Sequence, residues 1–301
     1  MNGARYAFLE EICQMAKTDE SIVIVSDDYS APVFDSFKVE NAKQYISVGI
    51  AEQNMVAVSC GLALGGKCAI AYGCAPFPVT RAYDQIKNAA AMMDLPITIV
   101  NSGVGFAIPE WGATHYNIED IALLRTIPNI RIITPTDSVM AIKTAQFTAS
   151  MQKLLYIRFD KYCGGGIYSS EGIDINRGFS VLRDSNKVAV ISCGYCTHAL
   201  LNSDLDARII DLYSLPFDGQ KLFKAIGELP VITYEEHIAG GGIGSAVLEA
   251  ANTVGIKNPI KRMAVNFQWG YPHTSGSREY FLELYGLTLN DIREEINKCR
   301  R

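Results

Sequence analysis

Two polar side chains sit in apolar settings where proton chemistry could use them. Glu52 lies in VGIAEQNMVAVSCGLAL (48–64), where a helix should begin and small residues follow. His115 lies in the loop EWGATHY, which runs straight into IEDIALLR. A carboxylate and an imidazole are the side chains most used to give and take protons. Each also has a plainer reading. A carboxylate at a helix start is favoured by the macrodipole, and a loop histidine is commonly solvated or a satisfied hydrogen-bond partner. The glycine turn AGGGIG (239–244), ahead of a helix, could hold a phosphate or simply allow strand and helix to pack closely. Cys193 and Cys196 form a CxxC, but VAVISCGYC reads as the end of a buried strand and no second pair with metal spacing follows.

The elements that must position these residues alternate along the chain. SIVIVS (21–26), PITIV (96–100), IRIIT (130–134) and LLYIRF (154–159) read as buried strands. Between them TRAYDQIKNAAAMM (80–93) places Ala82, Ile86, Ala89, Ala90 and Met93 at helical spacing. Thr136 or Asp137 is a natural N-cap for the helix that follows IRIITP. Residues 163–179 lose periodicity and turn rich in Gly and Ser, as a linker does. A second series then begins, with strands in VAVISCG, ARIIDLYSL, PVITYEE and IKRMAV and helices near 217–227, 245–254 and 277–297. Strands alternating with helices predict an α/β protein of two doubly wound domains with mostly parallel sheets. The expected boundaries are 1–165, a linker at 166–179, and 180–301.

Composition agrees. The chain has 301 residues, long enough for two domains of about 150 residues. It is 49% hydrophobic and 20% charged, with a net charge of −5 that argues against a nucleic-acid partner. No apolar run approaches the ~18 residues of a membrane span, so no membrane partner is expected. The start, MNGARYAFLEEICQMAK, reads as an amphipathic helix rather than a signal peptide. Eight scattered cysteines, mostly among apolar residues, suit buried thiols in a reducing cytoplasm.

Four motifs in order resemble the transketolase family: GIAEQN (49–54), TRAYDQIKNAA (80–90), ATHYNIEDIALLR (113–125) and TYEEHIAGGGIGSAVLEA (233–250). The resemblance covers nearly the whole chain. It implies a thiamine-diphosphate pyrimidine-binding domain followed by a transketolase C-terminal domain. The GDG segment of the family's diphosphate-binding domain is not found in this sequence. The chain therefore resembles the second half of a split transketolase, completed by a separately encoded N-terminal subunit as a dimer of heterodimers. That subunit is expected to supply the magnesium ligands, this chain none. The implied reaction moves a two-carbon ketol unit from a ketose or ketose phosphate to an aldehyde. Related readings are a carboligase taking a 2-oxo acid such as pyruvate, and a scaffold subunit without turnover.

The resemblance also assigns residues. Glu52 is the glutamate that activates the cofactor through its pyrimidine ring, and His115 contacts the donor's oxygen and helps move protons. Phe77, Tyr72 and Ile50 are the expected further cofactor contacts. Arg158 matches an arginine that contacts an acceptor phosphate, with a surface ion pair as its other reading, and Asp27 and Trp111 complete the expected substrate contacts. This sequence departs from the family at three places. Trp111 replaces an aspartate three residues before Thr114, Gly103 and Val104 replace a His–Asp pair, and the expected aromatic positions hold Ala75 and Pro78.

Overall fold

A computed structural model describes residues 3–299, except 30, 152, 162, 170, 171, 268, 269 and 272. The strands are β1 (Ile22–Ser26), β2 (Tyr45–Ser47), β3 (Cys68–Cys74), β4 (Ile97–Ser102), β5 (Arg131–Ile133), β6 (Leu155–Phe159), β7 (Ser180–Arg183), β8 (Ala189–Ser192), β9 (Arg208–Asp211), β10 (Ser214–Leu215), β11 (Val231–Ile238) and β12 (Ile260–Val265). They form a seven-stranded sheet, in the order β10-β5-β6-β4-β3-β1-β2, and a five-stranded sheet, β12-β11-β8-β9-β7. Pairing is parallel except for β10 against β5 and β7 against β9. This is the expected architecture of two doubly wound α/β units.

β1, β4 and β6 are buried along their whole length. Their runs of Ile, Val and Leu follow from helices covering both faces of a parallel sheet. Alternate residues serve opposite faces: Ile22, Ile24, Ile70 and Tyr72 pack under the helices Ala4–Ala16 and Ser138–Ser150. Val25, Ala69, Ala71 and Ile99 meet Met55, Val56 and Cys60 of the helix Glu52–Leu64. That second cluster continues through Ile132 to Ile210, Leu222 and Val231, so one apolar core runs through both sheets.

The two halves also exchange chain. β10 comes from the C-terminal series yet pairs Ser214 with Ile133 and Leu215 with Ile132 at the edge of the first sheet. The connecting segment packs rather than dangles: Tyr168, Ile173 and Ile175 are buried with Ile133, Met140 and Tyr213. Asp137 caps the helix Ser138–Ser150 by accepting from the Met140 N–H at 2.8 Å. Its other oxygen accepts from the N–H groups of Ile167 and Tyr168, at 2.7 and 2.8 Å.

Three sequence expectations need correction. The helix over 80–93 is broken into short turns, Phe77–Thr80 and Tyr83–Gln85, before a wide π-helical turn over Ile86–Ala91. The wider turn rotates Met93 out to solvent instead of completing the buried stripe. The helix over 277–297 is two, Arg278–Leu284 and Leu289–Lys298, separated at Gly286 with φ of 64°. β3, central in its sheet, was not expected, because CAIAYGC lacks a β-branched run. Among the described residues no helix is long and apolar enough to cross a membrane.

The Asp137 carboxylate is fully buried and satisfies three N–H groups on two segments. Asp137→Ala is expected to lower unfolding stability by at least ~2 kcal/mol, and Asp137→Asn by less, since one acceptor oxygen remains. Urea titration of the three proteins checks this. An unchanged midpoint for the alanine variant would remove the strap-and-cap role.

Candidate active site

In open α/β sheets, ligands gather at the carboxyl ends of the strands. Here the ends of β1, β3 and β4 lie side by side. Gly49, with φ of 70°, turns the chain after β2 so that Glu52 becomes the first residue of the helix Glu52–Leu64. Residue Glu52 is only 4% exposed, and its Oε1 accepts a hydrogen bond from Arg81 Nη1 at 2.8 Å. Arg81 comes from the break in the segment after β3 and is 45% exposed at its side chain. Its guanidinium also lies 4.0 Å above the centre of the Phe77 ring. Phe77 meets the His115 ring edge-on at 5.0 Å, and Trp111 meets the same imidazole at 4.9 Å. Glu52, Arg81, Phe77, His115 and Trp111 thus form one continuous cluster.

Its outer wall is open. Trp111 is 54% exposed and Ile50 is 71% exposed, unusual values for large apolar side chains beside a buried carboxylate. Burial, then the positive charge of Arg81, lowers the His115 pKa, so the imidazole is neutral at pH 7. Thr114 Oγ1 lies 3.0 Å from its Nδ1. A neutral imidazole can both donate and accept, and a nearby carboxylate can hold a proton.

Three expected contacts lie elsewhere. Tyr72 is wholly buried on the opposite face of β3, between Tyr29 and Phe34, because strand alternation aligns it with Ile70. Asp27 also points inward. Its Oδ1 accepts from the Tyr29 N–H at 2.7 Å and its Oδ2 from Cys74 N–H at 3.3 Å, and burial pushes its pKa up to about 7. A Cβ at Gly73 would meet Asp27 Oδ2 at 2.5 Å, which explains the glycine in β3.

Arg158 is the third correction. Its guanidinium is buried and forked onto Asp120, Nε to Oδ2 at 2.8 Å and Nη2 to Oδ1 at 3.1 Å. Tyr156 donates to the same carboxylate at 2.7 Å. With its fork filled and its surface covered, Arg158 serves the boundary between domains rather than a phosphate. Sequence reasoning missed Arg81, whose partner Glu52 is 29 positions away. Its only local signal is a cation following an exposed aromatic.

The glycine turn of the second domain has a structural explanation. The Glu235 carboxylate accepts from the N–H groups of Ile243 and Gly244, at 2.7 and 2.9 Å, and so occupies the place an anion would take. A Cβ at Gly242 or Gly244 would collide with that carboxylate. Next to it, His237 accepts from the Ala122 N–H at 3.3 Å through Nε2, and its Nδ1–H donates to the Ile238 carbonyl at 2.8 Å. Burial pushes its pKa down to about 4.

Comparison with known proteins places this geometry. Residues 3–163 match the family described as transketolase, pyrimidine binding domain, and residues 179–292 match transketolase, C-terminal domain. The chain belongs to the transketolase family. One of the two subunits of an apulose-4-phosphate transketolase from Phocaeicola vulgatus is 31% identical over 271 residues, covering 86% of each chain. A 1-deoxy-D-xylulose-5-phosphate synthase of Gloeobacter violaceus is 31% identical over 311 residues, covering 97% of this chain and 47% of that one. A solved structure of a split-gene transketolase, described as an inactive beta4 tetramer, superposes with a TM-score of 0.82 at 27% identity, covering 99% of this chain and 98% of that one. In this transketolase-family chain, the cluster around Glu52 is carried by the pyrimidine-binding domain.

The His237 geometry makes a pH prediction. Its pKa near 4 in the folded protein lies below the ordinary 6.5, so the unfolded chain takes up the proton first as pH falls. The stability this group contributes is complete above pH ~6.5 and is lost toward pH 4, by ~3 kcal/mol in all. His237→Gln should remove that increment from the acid limb, as measured by denaturant titrations between pH 7 and 4.5. Identical slopes for both proteins would contradict the neutral buried imidazole.

Proposed function

We propose that this chain is the pyrimidine-binding subunit of a split thiamine-diphosphate transketolase. Joined to a separately encoded N-terminal subunit, it transfers a two-carbon ketol unit from a ketose or ketose phosphate to an aldehyde. The carrying observation is the buried Glu52 carboxylate beside an open apolar wall, linked to the neutral His115 through Arg81 and Phe77. These residues suit the pyrimidine end of the cofactor: a carboxylate for a ring nitrogen, the half-buried Phe77 ring and the exposed Ile50 for its faces. When bound, thiamine diphosphate supplies the reactive carbon and the electron sink that ketol transfer requires.

The chain's own residues then have separate tasks. Glu52 holds a proton at the pyrimidine ring nitrogen and so sets the protonation state of the ring. Arg81 fixes the carboxylate's orientation while remaining half in solvent. His115 hydrogen-bonds the donor's oxygen and moves a proton there. Trp111 stands at the rim where the family carries an aspartate, so donor recognition uses shape and an indole rather than a carboxylate. We assign the diphosphate and magnesium to the N-terminal subunit in a dimer of heterodimers. A cytoplasmic setting suits the free thiols.

The relatives point to two donor classes. One is named for an apulose phosphate and the other is a deoxyxylulose-phosphate synthase, which keeps a 2-oxo acid donor in view. The solved relative is a tetramer of β chains alone and is inactive, and we read the present chain as likewise needing its partner.

A carboligation assay with the candidate N-terminal partner, thiamine diphosphate and magnesium tests the proposal against ketoses and pyruvate. Ketose turnover should require both subunits and fall at least ~10²-fold in Glu52→Gln. Turnover of pyruvate alone, with carbon dioxide released, would move the protein to the decarboxylating branch. No turnover, with cofactor bound equally by both proteins, would leave a scaffold.

A further inference from the structure

The second domain supplies no side chain to the Glu52–His115 cluster, yet it grips the loop on which His115 and Trp111 stand. That loop leaves and re-enters the fold through a narrow neck, where Gly105 and Asn117 exchange backbone hydrogen bonds of 2.8 and 3.2 Å. Between them the backbone is braced mainly by short turns, Pro109–Trp111 and Ala113–His115, with several bonds at 3.3–3.5 Å. Such a segment does not fix its own side chains to within a fraction of an ångström. The fixing comes from across the domain boundary.

Where the loop begins, Glu236 of β11 accepts the Phe106 N–H through Oε2 at 3.0 Å. The approach is close enough that a Cβ at Gly105 would meet the same oxygen at 2.6 Å. The buried Phe106 ring stacks on Phe281 at 5.1 Å and on Tyr285 at 5.9 Å. Where the loop ends, Tyr116 packs edge-on against Phe281 at 5.0 Å and donates its hydroxyl proton to the Thr274 carbonyl at 3.0 Å. The Ile238 N–H donates to the Ile118 carbonyl at 2.8 Å. Both ends of the loop are therefore embedded in the core of the second domain.

Glu236 is itself held rigidly. Arg278 donates to it through Nε and Nη2, both at 2.8 Å, and binds Asp160 at the end of β6 through Nη2 at 2.6 Å and Nη1 at 3.3 Å. The guanidinium lies 3.4 Å over the Tyr195 ring. Asp160 belongs to the first domain and Glu236 and Arg278 to the second, so the triad references the loop neck to the sheet that carries the cluster.

We infer that Glu236, oriented by Arg278, is a positioning residue for the reaction, acting through Phe106 and the 106–116 loop to set His115 against Phe77. This rests on the role proposed for His115. A displacement of about 1 Å at a reacting group can cost ~10²-fold in rate, so a loop anchored at its neck from another domain is a kinetic asset. The second domain then contributes to turnover without touching the reactants.

Hydrogen exchange and turnover, both measured on the complex with the N-terminal subunit, test it. In Glu236→Ala, amides of 106–116 should exchange at least ~10-fold faster while those of β3 and β4 do not change. Ketol-transfer kcat should fall ~10-fold or more with the thiamine diphosphate KM within about twofold of wild type, because the cofactor contacts stay in place. Glu236→Gln, which keeps an acceptor for the Phe106 N–H, should restore most of both. In a His115→Ala background, Glu236→Ala should add less than ~2-fold, since the two act through one group. Tyr116→Phe loosens the other anchor without opening a cavity and serves if the alanine variant does not assemble. Its loop should exchange faster and its kcat fall in the same pattern.

Unchanged loop exchange, or full additivity with His115→Ala, would overturn the inference. So would an Asp160→Asn control that reproduces every effect, because the triad would then only join the domains. If the wild-type complex transfers no ketol group, the proposed function fails while the exchange comparison still decides whether the second domain positions the loop.

Discussion

Two guanidinium groups, Arg158 and Arg278, are withdrawn from water at the boundary between the domains. A buried charge without a partner is costly by several kcal/mol, and each is accommodated only because carboxylates fill its fork. Arg158 uses Asp120, whose Oδ2 also serves Tyr156. Arg278 uses Glu236 and Asp160 together. These pairs have strict geometry, so they fix how the two sheets meet in a way that the shared apolar core alone does not. The His115 loop inherits its place from that alignment, and so does the antiparallel edge that β10 lends to the first sheet.

The same logic explains why two anion-seeking motifs are not anion sites on this chain. The glycine turn at 240–244 offers N–H groups at a helix start, and the Glu235 carboxylate already accepts them. Arg158 offers a planar fork, and Asp120 already fills it. Internal carboxylates take the positions that a phosphate would need. What remains open is the apolar and aromatic wall near Glu52, where Ile50 and Trp111 face outward.

Within that wall the charges are arranged asymmetrically. Glu52 is buried while Arg81 is half in solvent, and the aromatic ring of Phe77 lies between the guanidinium and His115. The arginine opposes a positive charge on the imidazole while it pairs with the carboxylate, a combination suited to proton traffic in both directions. Burial alone would act on the two groups separately. The shared cation couples them.

Much of the fold was legible in the sequence, because strands buried on both faces must be apolar throughout and helices between them must show a 3.6-residue stripe. IVIVS, ITIVNS and LYIRF satisfied the first rule and Asp137 announced a helix start. CAIAYGC did not, since its glycine answers to Asp27, a contact across strands. GIAEQN and the THY loop marked Glu52 and His115 in the chain, and matches to both domains of the transketolase family followed from the same order of motifs. Which residues join those two was decided only by tertiary structure. Tyr72 and Phe77 are both aromatics near the end of β3, but strand alternation buries the first and the turn after the strand presents the second. Arg81 and Glu236 gave no local signal of their roles, because their partners, Glu52 and the Phe106 N–H, lie 29 and 130 positions away. A sequence pattern records the faces of elements, whereas contacts between distant elements exist only once the sheets have been set against each other.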